Sequence, residues 1–197
     1  MLKLSILLSS VTVVALPLAM ASTAMASFSG VGTISGSLIS SGANAGDYNY
    51  SIDLTNTGTQ SIDFLWFAWT PGQDYLYSTP ISASAPTGWS TTILPAGGGS
   101  GASIQFHSST MSIAAGSSLD FSFITADSPS LVDSNSSYWF PSKPVGTSVL
   151  YNGGAFSTPS ETIVVTPTPE PAASGLLAIG SLVGLTLASR ARRRQLV

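Results

Sequence analysis

Tyr48-Asn49-Tyr50-Ser51-Ile52-Asp53-Leu54 alternates large apolar with small polar side chains, and Asn56-Thr57-Gly58 then turns the chain. A period of two puts Tyr48, Tyr50, Ile52 and Leu54 on one face, the pattern of a half-buried strand. Working outward, Ile62, Phe64, Trp66 and Ala68 form one face of the next segment, with Leu65, Phe67 and Trp69 on the other. That strand is predicted to be buried on both sides and to end at Thr70-Pro71-Gly72. Ile104 and Phe106 alternate further on, as do Leu119, Phe121 and Phe123 after Gly116. Weaker strands are predicted around 30–40, 89–94, 146–151 and 161–165. No window from 27 to 165 carries a 3.6-residue period. Seven to nine short strands with polar turns predict an all-β, antiparallel β-sandwich, immunoglobulin-like in the broad sense. A small β-barrel is the alternative.

Composition narrows the classes. The 197 residues include no Cys, 19 Gly, 12 Pro and only 8% charged residues. Without Cys there is no disulfide framework, thiolate metal site or thiol nucleophile. Six Lys+Arg against nine Asp+Glu argue against a nucleic-acid partner. Every aromatic residue lies between Phe28 and Phe156. Between 27 and 165 the one basic residue, Lys143, stands against seven Asp and Glu161, a charge of about −7. Such a charge favours solubility and disfavours anionic partners.

Residues 1–26 have the parts of a secretory signal. Lys3 supplies the positive start, Leu4 to Ala19 is apolar apart from Ser and Thr, and Pro17 ends the helix. Ala24-Met25-Ala26 presents the small-x-small pattern that signal peptidase accepts. Cleavage is predicted after Ala26, with Ala21 the second choice. The competing reading, an uncleaved anchor, needs a longer run.

The other end carries three features in order. Thr166-Pro167-Thr168-Pro169-Glu170-Pro171 is too rich in proline for a helix or a central strand. From Ala172 to Ser189 no residue is charged, and as a helix this stretch spans about 27 Å, just enough for a bilayer core. Arg190, Arg192, Arg193 and Arg194 then form a stop-transfer cluster that stays cytoplasmic. One pass is predicted, with the domain outside and the arginines inside. The arginine cluster rejects a lipid-anchor signal, while a plain stop-transfer anchor would need the helix and arginines only.

Pro169-Glu170-Pro171, the apolar helix 172–189 and the arginine tail together resemble the PEP-CTERM sorting signal of Gram-negative bacteria. The resemblance covers about 30 residues. It implies passage through the general secretion machinery and a transient single-pass state in the inner membrane. It then implies recognition and cleavage near the tripeptide by an exosortase, in cells that make exopolysaccharide, with the product at the cell surface or outside. The helix departs from the usual pattern in carrying Ser174, Ser181 and Thr186. On this reading the chain divides into a signal (1–26), an exported domain (27–165) and a sorting segment (166–197).

The domain offers little for catalysis. His107 is the only histidine and lies on the face opposite Ile104 and Phe106. A triad or zinc site would need an oriented carboxylate or two more ligands beside it, so a structural strand histidine is expected. No metal site and no cofactor is predicted. A hairpin joining the segments of Asp53 and Asp63 would set these carboxylates opposite each other, a cost unless a cation sits between them. The preferred reading sends the two strands to different sheets. Ala96-Gly97-Gly98-Gly99-Ser100-Gly101 has no basic residue or helix after it, so it reads as a flexible connection rather than a phosphate cradle. Tyr75, Tyr77, Trp89, Tyr138, Trp139 and Phe140 fall in or near predicted loops, where they either plug the core or form a sugar-stacking patch.

Two functional classes remain. The first is a non-enzymatic exported surface or matrix protein associated with exopolysaccharide. The alternative is an exported polysaccharide-acting hydrolase or a carbohydrate-binding module. An enzyme needs clustered titratable groups, so the first is preferred.

Overall fold

The computed structural model describes residues 27–97, 100–135, 143–153, 156 and 160–168. The signal segment 1–26 with Ala24 and Ala26, the tripeptide Pro169-Glu170-Pro171, the helix 172–189, the arginine cluster and Tyr138-Trp139-Phe140 lie outside these residues. Among the described residues no helix is long and apolar enough to cross a membrane.

The domain is nearly all β. Its strands are β1 (Gly30–Leu38), β2 (Tyr48–Asn56), β3 (Phe64–Phe67), β4 (Trp69–Thr70), β5 (Gln73–Asp74), β6 (Ser82–Ser84), β7 (Trp89–Leu94), β8 (Ser103–Ser108), β9 (Ser118–Thr125), β10 (Thr147–Tyr151) and β11 (Ser160–Pro167). One helical turn, α1 (Pro129–Val132), interrupts them. The predicted strand at 89–94 matches β7, and the other weak segments appear as β1, β10 and β11. The two-residue hairpin β4–β5, the edge strand β6 and α1 are too short to leave a periodic signal.

Nine strands join in the order β6-β9-β2-β1-β11-β10-β3-β8-β7. The edge strands β6 and β7 come into contact, so the sheet nearly closes on itself. The expected all-β, mainly antiparallel architecture is present, with its two halves joined through β11 into one nearly closed sheet, close to the barrel alternative. β11 belongs to both halves: its first five residues pair antiparallel with β10, from Tyr151↔Ser160 to Thr147↔Val164. Val165, Thr166 and Pro167 then pair parallel with Gly32, Thr33 and Ile34 of β1. The crossover needs close backbone approach at Gly146, where a Cβ would overlap the Val165 carbonyl oxygen.

The core lies between the halves. Ile34, Tyr50, Ile52, Leu54, Leu65, Phe67, Ile104, Phe106, Phe121 and Phe123 are all within it. Tyr50 stacks on Phe123 at 5.0 Å between ring centroids, and Phe106 packs on Phe121 at 4.8 Å. Burying each such phenylalanine stabilises by about 1.5–3 kcal/mol. The turn after β2 is held by Asn56, whose side-chain amide donates to the carbonyls of Gln60 and Ile113, each at 2.8 Å. Its Oδ1 accepts the Gly58 N–H at 2.9 Å, the Asx geometry that makes Asn-x-Gly a turn.

The segment around β3 is buried on both faces, but the facing slips at its two ends. Ile62 and Ala68 join the core with Leu65 and Phe67, whereas Trp69 joins Phe64 and Trp66 on the outer face. The expectation of one unbroken alternation from 62 to 69 is thereby corrected. At the far end the cause is Ala68, which takes the left-handed conformation with φ 56°, uncommon for a residue with a Cβ. Its N–H donates to Ser148 Oγ at 3.2 Å, and its carbonyl accepts the Tyr75 N–H at 2.9 Å. At the near end Ile62 pairs with Ile113 rather than with the strands flanking β3.

Candidate functional site

On the outer face of the half formed by β11, β10, β3, β8 and β7, three rings form a row across adjacent strands. Direct pairing sets His107 of β8 and Tyr151 of β10 on either side of Phe64 of β3. Because paired residues share a face of the pleat, the rings stack. The centroids are 5.7 Å apart for His107–Phe64 and 4.5 Å for Phe64–Tyr151, with interplanar angles of 17° and 14°. Phe156 closes edge-on against Tyr151 at 5.5 Å and against Trp69 at 5.2 Å. Trp69 in turn stacks face to face on Trp66 at 3.7 Å. The slip at Ala68 is what delivers Trp69 to this side.

Beside the row opens a cleft of about 420 Å³, lined by Asp63, Phe64, Gln105, His107, Ser108 and Gly153. Its size falls in the range of about 300–1,000 Å³ usual for small-molecule sites. Asp63 is fixed through its backbone. Its N–H reaches Asn152 Oδ1 at 2.9 Å, and its carbonyl accepts the Ser108 N–H at 2.7 Å. Gln105 Nε2 donates to the Tyr151 hydroxyl at 2.8 Å. Burial raises the Tyr151 pKa, and the bond from Gln105 opposes that rise in part. Two lining residues carry polar atoms closed to solvent and without a hydrogen-bond partner among the described residues, Asp63 Oδ1 and His107 Nδ1. An unpaired buried polar atom costs about 1–3 kcal/mol, so this wall of the cleft has hydrogen-bonding capacity unmet just beneath its surface.

The sequence expectations divide here. His107 is a strand histidine on the face opposite Ile104 and Phe106, as expected, and it also lines the cleft. Asp53 and Asp63 do not meet, because β2 and β3 lie in different halves of the sheet. Asp53 instead faces Asp120 of β9. Tyr75 and Trp89, the latter at the start of β7, are buried in the core, and Tyr77 packs against it, so these three aromatics are plugs. Apart from Phe156, the outward aromatics Phe64, Trp66, Trp69 and Tyr151 come from strands, a possibility that the double-sided burial of β3 already contained.

Two polar clusters escaped the sequence reading. Asp127 is 2% exposed, and its Oδ2 accepts the N–H groups of Tyr77 at 3.0 Å and Ser78 at 3.1 Å. The Tyr50 hydroxyl donates to the Asp127 carbonyl at 2.8 Å. Burial first, then the charges of Asp127 and Tyr48, push the Tyr50 pKa well above its ordinary value. Asp74 accepts Ser103 Oγ at 2.5 Å and Ser100 Oγ at 3.0 Å, and Trp66 Nε1 donates to Ser103 Oγ at 3.0 Å. Both arrangements brace loops. Among the described residues no three His, Asp or Glu side chains converge on a metal-sized site.

No family model and no curated protein matches the chain. Among solved structures, one similar chain is a GH20 exo-β-N-acetylglucosaminidase from Vibrio harveyi in complex with N-acetylglucosamine. It shows 15% identity and a TM-score of 0.39 over 71% of this chain, which spans only 18% of that protein. Another is a biomass-sensing module of the Rsgi2 protein from Clostridium thermocellum, described as resembling a family 3 carbohydrate-binding module. Its identity is 12% and its TM-score 0.29, over 49% of this chain and 66% of that one.

Proposed function

We propose that the protein is an exported, non-enzymatic glycan-binding protein of the cell surface or extracellular matrix. The observation that carries this reading is the cleft beside the His107–Phe64–Tyr151 row. It combines an apolar ring with an amide, a hydroxyl, an imidazole and a carboxylate. That mixture suits a sugar, which presents C–H faces and hydroxyl edges together. Delivery rests on the two ends: a signal removed after Ala26, then an exosortase acting near Pro169-Glu170-Pro171 while Arg190 and Arg192–Arg194 hold the helix in the inner membrane.

The full chain in detergent, titrated by calorimetry with soluble glycan oligomers and followed by mass spectrometry of the glycans, tests the binding reading. The expected result is saturable binding with every oligomer recovered intact. Shortened oligomers would favour the polysaccharide-acting hydrolase, and the absence of binding would overturn the reading.

A further inference from the structure

We propose that the cleft is a subsite for one 2-amino-2-deoxyhexose unit bearing a free ammonium group, with that group against Asp63; this rests on the glycan-binding reading above. The six described lining residues include one carboxylate and neither lysine nor arginine. A uronate, sulfate or phosphate unit would therefore find no counter-charge there. It would also approach a domain whose charge is about −7, so repulsion acts at long range as well. A neutral sugar would offer Asp63 hydroxyl donors but no counter-charge, a weaker partnership for a carboxylate than an ammonium group.

An ammonium group reverses both terms. It brings three donors and a positive charge to the one carboxylate that lines the cleft. The edge of Phe64 supplies the apolar part of the lining, while Ser108 and Gln105 supply hydroxyl and amide partners. Asp63 is suited to hold position because its backbone is bonded on both sides, to Asn152 and to Ser108. Its carboxylate can be changed without touching those bonds.

The experiment uses the full chain in detergent and four hexamers: β-1,4-linked glucosamine, its fully N-acetylated counterpart, a glucose hexamer and a uronate hexamer. The glucosamine hexamer is expected to bind at least ten-fold more tightly than the acetylated one, and the uronate hexamer most weakly. Asp63→Asn should bring glucosamine and acetylated hexamers within about two-fold of each other with no fall in the thermal midpoint. Asp120→Asn removes the same charge from the other half of the sheet and should leave the preference in place. If Asp120→Asn erases the preference equally, the attraction is a bulk charge effect and the subsite fails. Equal affinities in the wild type, or a preference that survives Asp63→Asn, would likewise overturn the subsite while leaving glycan binding intact. Binding of none of the four would overturn both.

Discussion

Asp53 and Asp120 stand directly opposite each other on the exposed face of β2 and β9. Their strand neighbours are Ser51 paired with Ser122 and Thr55 bonded to Ser118 at 2.7 Å between hydroxyls. The one basic residue between 27 and 168, Lys143, is on neither strand. Like charges at directly opposed positions destabilise a sheet. Asp120→Thr keeps a strand-favouring side chain and should raise stability by about 0.5 kcal/mol in low salt. Because the pair is exposed, 1 M salt should shrink that gain. Urea titrations at the two salt concentrations check it, and a gain unchanged by salt would count against the electrostatic account.

Gly146 should be intolerant of any side chain. A Cβ there would overlap the Val165 carbonyl oxygen, and the Val165 N–H donates to the Gly146 carbonyl at 2.9 Å. The obstacle is backbone, so no rotamer change relieves it. Gly146→Ala should cost about 3 kcal/mol or more, because β11 must shift where it passes between the halves. Gly97→Ala is the control: nothing lies within 4 Å of its added Cβ, and its effect should stay within about 0.5 kcal/mol. Thermal unfolding of the two variants compares them.

Asp127 holds the 77–78 turn through charge-assisted bonds to two backbone N–H groups. Asp127→Ala removes the acceptor from a buried place and should cost about 2–4 kcal/mol. Asp127→Asn keeps a neutral acceptor and should cost about half as much. It should also lower the Tyr50 pKa, because the carboxylate charge is one cause of its rise. Denaturant titration and the absorbance of the phenolate measure the two effects.

Alkali should unfold the protein through its buried tyrosines. The pKa values of Tyr50 and Tyr151 are both raised in the folded state, so that state holds each phenol proton more tightly than the unfolded chain does. The resulting stability is complete below pH 10, the ordinary tyrosine value, and is lost as the pH rises past it. Each tyrosine contributes a slope of about 1.4 kcal/mol per pH unit until its folded-state value is reached. Tyr50→Phe should flatten this alkaline limb while lowering stability at pH 7 by about 1 kcal/mol, through loss of the bond to Asp127. A limb of unchanged steepness in that variant would contradict the assignment.

The alternation from Tyr48 to Leu54 determined a strand and its inward face, because side-chain direction in extended chain depends only on neighbouring residues. Asn56-Thr57-Gly58 determined its turn for the same local reason, the Asn side chain bonding to backbone two residues on. The charge of the domain and the lone His107 were likewise legible by inspection. What remained was a matter of partners distant in sequence. Which strand lies beside β2 decides that Asp53 meets Asp120 rather than Asp63, and nothing within either strand encodes it. β11 divides its pairing between β10 and β1 because Gly146 lets two backbones meet, a condition visible only when both are in place. Periodicity also could not place the slip at Ala68, since an alanine in the left-handed region carries no local signature. That slip turns Trp69 outward onto Trp66, and the pairing of β3 with β8 and β10 lines up His107, Phe64 and Tyr151. The strands were therefore determined by short-range sterics and hydrophobic alternation, whereas the cleft arose from long-range pairing, which only the folded chain decides.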